Sequence, residues 1–322
     1  MPRTLSTVLP PLLAVLCALL AAAPAASQKV PVFGSGIDVV NVTVTVRDRD
    51  GNLVSDLNPE DFVIYEDGRR QSPRNIHVFA PAAREGNDEE LALNLGMLLD
   101  TSESMKAQIK LSQHSAIRFL DSIPRANDLL LIFFDQDIRL SRYSSENQQG
   151  IFERILEMKG SGNTALYDAI SVYLARVADS SGRKVLVIFT DGEDSTSAIT
   201  LGEALTLVRS SGVIVYPIAF QGASGLGTSR HVAARAFLST LAESSGGSVF
   251  SPAAARDLAE IYQKILDELG SQYVLGFVSD NPRLDGKFRQ LRVEVKPKDL
   301  KVRHRRGYYA VPGGRIRLRD RR

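Results

Sequence analysis

Cysteine is almost missing from this 322-residue chain: the single one, Cys17, sits in an apolar run near the start. If that run is removed on export, no disulfide and no thiol chemistry remain, and a buried core must hold the fold. Histidine is nearly as scarce. The four residues are scattered, so there is no His/Cys cluster for zinc and no Ser–His–Asp set, since none falls in a comparable loop at a strand end. An excess of one charge is missing too: 39 Lys and Arg stand against 37 Asp and Glu, which gives no general case for nucleic acid or membrane binding. The Gly-rich stretch GSGNTAL lacks the Lys-Ser/Thr ending of a phosphate-binding loop, and no dinucleotide fingerprint occurs, so nucleotide binding is rejected.

What the sequence does have begins with an address. Residues 1–27 carry a basic start at Arg3, an apolar run from Leu9 to Ala23 and small residues at Ala25–Ser27. That layout is a secretory signal peptide, cleaved after Ala25 or Ser27; the run is short for a membrane anchor and ends in Ala-Pro-Ala-Ala-Ser. Leu16 before Cys17 fits a lipoprotein signal poorly. The expected destination is a periplasm or the outside of the cell.

Three patterns follow along the chain. Residues 28–82 alternate apolar and polar at period two, in IDVVNVTVTVRDRDGNLVSDL and DFVIYEDGRRQSPRNIHVFA, with DRDGN as a hairpin signal. After the polar linker PAAREGNDEE, residues 91–270 change to compact apolar runs: LALNLGMLLD, DLLLIFFD, KVLVIFT, GVIVYPIAF and the shorter GSVFS. Segments of helical period lie between them, such as 107–123, 164–180 and 253–269. Unalternating strands separated by helices predict a doubly wound, mostly parallel α/β domain. Alternation returns in residues 271–311. Too few strands lie on either side for two independent sheets, so 28–82 and 271–311 are expected to join as one small β-sandwich with the α/β domain inserted between them. Residues 312–322 form a basic tail, read as solvated and as the one candidate for contact with anionic lipid.

In an open parallel sheet, ligands bind at the carboxyl ends of the strands. Three polar clusters fall there: Asp100, Ser102 and Ser104 after the first run, Thr164 in GSGNTALYD, and Asp191 in TDGEDS. Oxygen donors with little net charge suit a hard cation, Mg²⁺ first and Mn²⁺ second, with water completing the shell. Such an ion accepts an outside carboxylate. Each cluster alone has an ordinary explanation as a cap or turn. Together, in order and each at a strand end, they argue for a metal site. Asp168, one helical turn after Thr164, is a candidate support for that site, although an ordinary polar helix position explains it as well. Glu193 and Asp194 are read as solvated loop residues.

Asp100-x-Ser102-x-Ser104, Thr164 of GNTALYDAI and Asp191 of FTDGED resemble the metal-ion-dependent adhesion site of von Willebrand factor A domains. The flanking segments VTVRDRDGNLV, DFVIYEDG, GKFRQLRVEV and RRGYYA are similar to those of a related family of secreted bacterial proteins. The resemblance implies Rossmann-like topology, a divalent cation and recognition of a protein ligand through it. It further implies that Ser102, Ser104 and Thr164 coordinate the ion, with Asp100 and Asp191 acting directly or through water. Catalysis is not expected. A phosphatase of the haloacid dehalogenase type needs a second carboxylate two residues after its strand-end Asp, and Ser102 occupies that place. The expectation is therefore an exported, non-catalytic adhesion or interaction module whose partner presents Asp or Glu to the metal. The alternative is an envelope scaffold in which the metal is structural.

Overall fold

The structure, a computed structural model, describes residues 39–72, 76–79, 93–123, 128–143, 148–180, 182–221, 228–254, 256–296 and 299–311. The expected signal peptide with Cys17, the linker 81–90 and the basic tail 312–322 lie outside them. Among the described residues no helix is long and apolar enough to cross a membrane.

The first alternating segment becomes β1 (Val39–Arg47), β2 (Phe62–Glu66), β3 (Arg69–Arg70) and β4 (Ile76–Phe79). Period two buries one face: Val42, Val44 and Val46 in β1, Phe62 and Ile64 in β2. DRDGN does form a turn, with Gly51 at φ 92°. The predicted hairpin nevertheless stops at a single bridge, Arg47 to Leu53. Both edges of β1 are taken by strands from the far end of the chain, as described below, and β2 belongs to another sheet.

The unalternating runs build the inserted domain: β5 (Leu93–Asp100), α1 (Ile109–Ser122), β6 (Asp128–Phe134), β7 (Ile138–Tyr143), α2 (Gln148–Leu156), α3 (Leu166–Arg176), β8 (Arg183–Thr190), α4 (Leu201–Ser211), β9 (Ile214–Ala219), α5 (Ser229–Ser245) and α6 (Asp257–Gly270). The sheet runs β7-β6-β5-β8-β9, parallel except for β7. GSVFS is not a strand; it supplies one parallel bridge, Phe250 to Ile218. Every residue of β5 is buried, because helices cover both faces. Leu95, Met97 and Leu99 share a core with α1, α2 and α6, and Leu98 shares one with α3, α4 and α5. Gly96 is required by the second core: a Cβ there would lie 2.0 Å from the ring of Tyr173, whose hydroxyl donates to the Val185 carbonyl at 2.9 Å.

The chain returns through β10 (Tyr273–Val278), β11 (Phe288–Val295), β12 (Lys301–His304) and β13 (Gly307–Tyr309). Two four-stranded antiparallel sheets result, β12-β1-β10-β4 and β13-β11-β2-β3. They share one core, in which Phe62 meets Tyr273 at 4.9 Å between ring centroids. Both sheets mix strands from before and after the insertion. A buried ion pair joins β2 to β11 within the second sheet, Glu66 accepting from Arg289 at 3.1 Å and from Tyr308 of β13 at 2.8 Å, and Ser279, just after β10 of the first sheet, donates to the same carboxylate at 2.8 Å.

The sandwich also grips the end of the inserted domain. Glu268 of α6, 1% exposed, accepts from Arg47 of β1 at 3.1 Å, from Tyr216 of β9 at 2.6 Å and from Arg303 of β12. Arg305 is buried beside the left-handed glycines that end α4 and α5, Gly212 and Gly246, and donates to the Asn41 carbonyl at 2.7 Å. Helix C-termini favour a cation.

Candidate functional site

β5 and β8 are neighbours at the centre of the sheet, where strand order turns from one side to the other, so the loops that follow them meet. Asp100 ends β5 and is fully buried. One carboxylate oxygen accepts from the Ser102 amide at 2.9 Å and the other from the Thr190 hydroxyl at 2.6 Å. The Ser102 and Ser104 hydroxyls lie 3.1 Å apart. Asp191, 1% exposed, accepts from the Glu193 amide at 3.0 Å through Oδ1, while its Oδ2 is buried with no hydrogen-bond partner among the described residues. The left-handed glycine after it lets this turn close: Gly192 has φ 84°, and a Cβ there would stand 2.7 Å from Leu238 of α5.

Thr164, 4% exposed, lies between these loops but not at a strand end as expected: its segment connects α2 to α3 and is carried to the strand ends by backbone hydrogen bonds. Its segment is tied to the first by Ser161 N–H to the Thr101 carbonyl (2.8 Å) and Glu103 N–H to the Gly162 carbonyl (3.0 Å). It is tied to the Asp191 loop by Ser195 N–H to the Thr164 carbonyl (2.9 Å) and Thr164 N–H to the Ser195 hydroxyl (3.0 Å). The Thr164 hydroxyl takes part in none of these bonds.

The electrostatics of the centre are unbalanced. Neither Asp100 nor Asp191 has an ion-pair partner among the described residues. Burial, then the neighbouring charge of Asp191, pushes Asp100 up to about 7, against the opposing bonds from Ser102 and Thr190. Burial also raises Asp191, partly offset by the Ser104 hydroxyl and the Glu193 amide. Burial and like charge at two neighbouring carboxylates favour a retained proton or a bound cation over two free charges. Among the described residues no group of three or more His, Cys, Asp and Glu gathers in metal-binding fashion. The donors at this place are two carboxylates and hydroxyls, a set suited to a hard ion that keeps water, and the orphaned Asp191 Oδ2 is the atom such an ion would satisfy.

Asp168 does not reach these residues. It accepts from the amides of Ala198 (2.8 Å) and Ile199 (3.1 Å), and so braces the loop that follows Asp191. Asp194 is not a free loop charge either: it accepts from the Tyr167 amide at the start of α3 (3.1 Å) and from the Ser197 hydroxyl (2.6 Å). Sequence reasoning missed Thr190, although it directly precedes Asp191 and its place opposite the end of β5 follows from strand adjacency. It also missed Asp135, at the end of β6, which accepts from Thr101 at 2.9 Å and pairs with Arg139 at 2.5 Å.

Residues 94–264 match the profile of the von Willebrand factor type A domain. The chain belongs to that family. A curated relative, an uncharacterized protein of Synechocystis, is 28% identical over 147 residues, which are 44% of this chain and 34% of the relative. The chain thus spans about a third of the curated relative it matches. Among solved structures, a von Willebrand factor type A protein from Catenulispora acidiphila aligns with TM-score 0.47 and 11% identity, over 84% of this chain and 73% of its own. Conserved hypothetical protein BatB from Bacteroides thetaiotaomicron aligns with TM-score 0.45 and 16% identity, over 54% and 97%. The von Willebrand factor domain of a type V pilus tip protein from Porphyromonas gingivalis gives 0.44 and 12%, over 55% and 96%. In this chain's von Willebrand factor A domain, the loops after β5, before α3 and after β8 carry the donor set described above.

Proposed function

We propose that this protein is a metal-dependent protein-interaction module of the exported type, binding an acidic side chain of a partner through a divalent cation, Mg²⁺ before Mn²⁺. The observation that carries this reading is the buried Oδ2 of Asp191, unpartnered among the described residues, beside the buried Asp100. Ser102, Ser104, Thr164, Asp100 and Asp191 are the residues that would hold the ion, directly or through water. Bound there, it would offer an open position to an outside carboxylate. The chain's own part is to keep the donors fixed. Thr190 and the Ser102 amide orient Asp100, Asp168 and Asp194 brace the third loop, and backbone bonds clamp the Thr164 loop between its neighbours. We read the module as non-catalytic, because Ser102 stands where a phosphatase of the haloacid dehalogenase type needs its second carboxylate.

The test is a pull-down from envelope and secreted fractions with Mg²⁺ or with chelator, using wild type and Asp191→Ala after each is shown to be folded. Partners held only by wild type with Mg²⁺ support the reading. Partners held in every condition refute the metal bridge and leave a scaffold whose contacts lie elsewhere.

A further inference from the structure

Beside the metal candidates lies a recess that the proposed function does not use. It has a volume of about 320 Å³ and lies between the ends of β6 and α2, at the lower end of the range of small ligand sites. Its wall on the metal side is Thr101, the residue between Asp100 and Ser102. The Thr101 hydroxyl turns away from those two and joins Asp135 and Arg139, which donates to it at 2.9 Å. Phe133 and Met158 are its most buried apolar lining.

The polar lining is not electrically even. Asp135 is fully engaged, accepting from Thr101, from the Asp137 amide at 2.8 Å and from both terminal nitrogens of Arg139. Its charge is therefore matched within the wall. What faces the opening is Arg154, Lys159 and Glu157. Arg154 and Glu157 meet at 3.4 Å, both exposed, an ion pair of the kind that adds little and is readily exchanged. Lys159 makes no ion pair among the described residues. Two exposed cations against one exposed carboxylate, over an apolar base, suit a short acidic side chain whose methylenes enter the recess and whose carboxylate stays at the rim.

We propose that this recess receives a second acidic side chain from the same partner protein whose first carboxylate goes to the metal. The proposal rests on the metal-binding reading for its first contact, and it adds the rule by which partners are selected: two acidic residues spaced to span Thr101. A single Asp or Glu is common on any protein surface, so the recess gives the site discrimination that the metal alone lacks.

The described methionines supply separate reporters. Met158 lines the recess, Met105 follows Ser104 in the metal loop, and Met97 is buried in β5. The full chain, methyl-labelled at methionine and stripped of metal on a chelating resin, is titrated with N-acetyl-glutamate N-methylamide and with its glutamine counterpart, with Met158→Leu assigning the signal. The expected result is a Met158 shift with the acidic probe, none with the neutral one, and at least fivefold weaker binding in the exposed double variant Arg154→Glu/Lys159→Glu. With Mg²⁺ present, peptides carrying two acidic residues at varied spacing should move Met105 and Met158 together at one spacing, and bind about tenfold tighter than single-acid peptides. A silent Met158, an equal response to the neutral probe or an unchanged response in the double variant overturns the recess proposal. A Met105 that ignores Mg²⁺ while Met158 responds overturns the metal reading alone.

Discussion

Replacing Asp100 by Asn tests the electrostatic imbalance at the centre of the site directly. In the metal-free protein, burial and Asp191 raise this carboxyl to about 7 from an ordinary 3.8. The unfolded chain gives up the proton near 4, while the folded one keeps it until about 7. Stability attributable to Asp100 is therefore greatest at low pH, falls as pH rises between those values and is level above them. At about 1.4 kcal/mol per pH unit, the loss across that interval is on the order of 4 kcal/mol. Asparagine removes the titration but also one acceptor, since Ser102 and Thr190 both donate to Asp100, which carries a constant cost of roughly 1–3 kcal/mol. The expected outcome in denaturant unfolding at pH 4 to 8 is a crossing: Asp100→Asn is the less stable protein at pH 4 and the more stable at pH 8. Mg²⁺ at a hundred times its dissociation constant should restore about 2.7 kcal/mol to wild type at pH 8, less at pH 5, where protons compete, and nothing to the variant. A stability difference between the two proteins that stays level from pH 4 to 8 would refute the reasoning.

Arg289→Ala should destabilise the sandwich by about 3–5 kcal/mol, because it strands the buried Glu66 carboxylate without its cation; urea unfolding measures it. Gly192→Ala combines a left-handed backbone with a Cβ 2.7 Å from Leu238. It should cost at least about 1–3 kcal/mol and weaken Mg²⁺ binding by displacing Asp191, as read by a thermal shift with and without the ion. His304 accepts the Val293 amide through Nε2 and has its pKa lowered, chiefly by burial. Its contribution to stability is full above the unfolded value near 6.5 and declines as pH falls toward the lower folded one. His304→Gln should flatten that part of the profile, and an unchanged slope in the variant would count against it.

Much of the site was legible because its donors are local to loops that the sheet must bring together. Asp100, Ser102 and Ser104 end one apolar run and Asp191 ends another, and β5 and β8 are neighbours. The joining of the two flanking segments was legible from the shortage of strands on either side. Less visible was β7, IRLSRY, whose outward arginines interrupt the apolar pattern sought for this domain. The start of α4 had a readable signal that went unused: Thr200 and Glu203 form a reciprocal capping pair, and Gly212 closes the helix. Glu268 with Arg303, a helix residue on a strand residue, or Glu66 with Arg289, on paired strands more than 220 residues apart in the chain, left no trace in spacing, since contacts between elements so distant in sequence have no period.

The insertion has a consequence for the order of folding. β4 pairs with β10, Val78 opposite Leu275, across roughly 200 intervening residues. Closing so long an unstructured loop costs on the order of 4–5 kcal/mol of chain entropy. The von Willebrand factor A domain removes that penalty if it folds first, because its own sheet brings the two ends together. Until it does, β1 and β4 wait with open edges for partners at the other end of the chain, and slow folding of the inserted domain would show as association of whole chains through those edges.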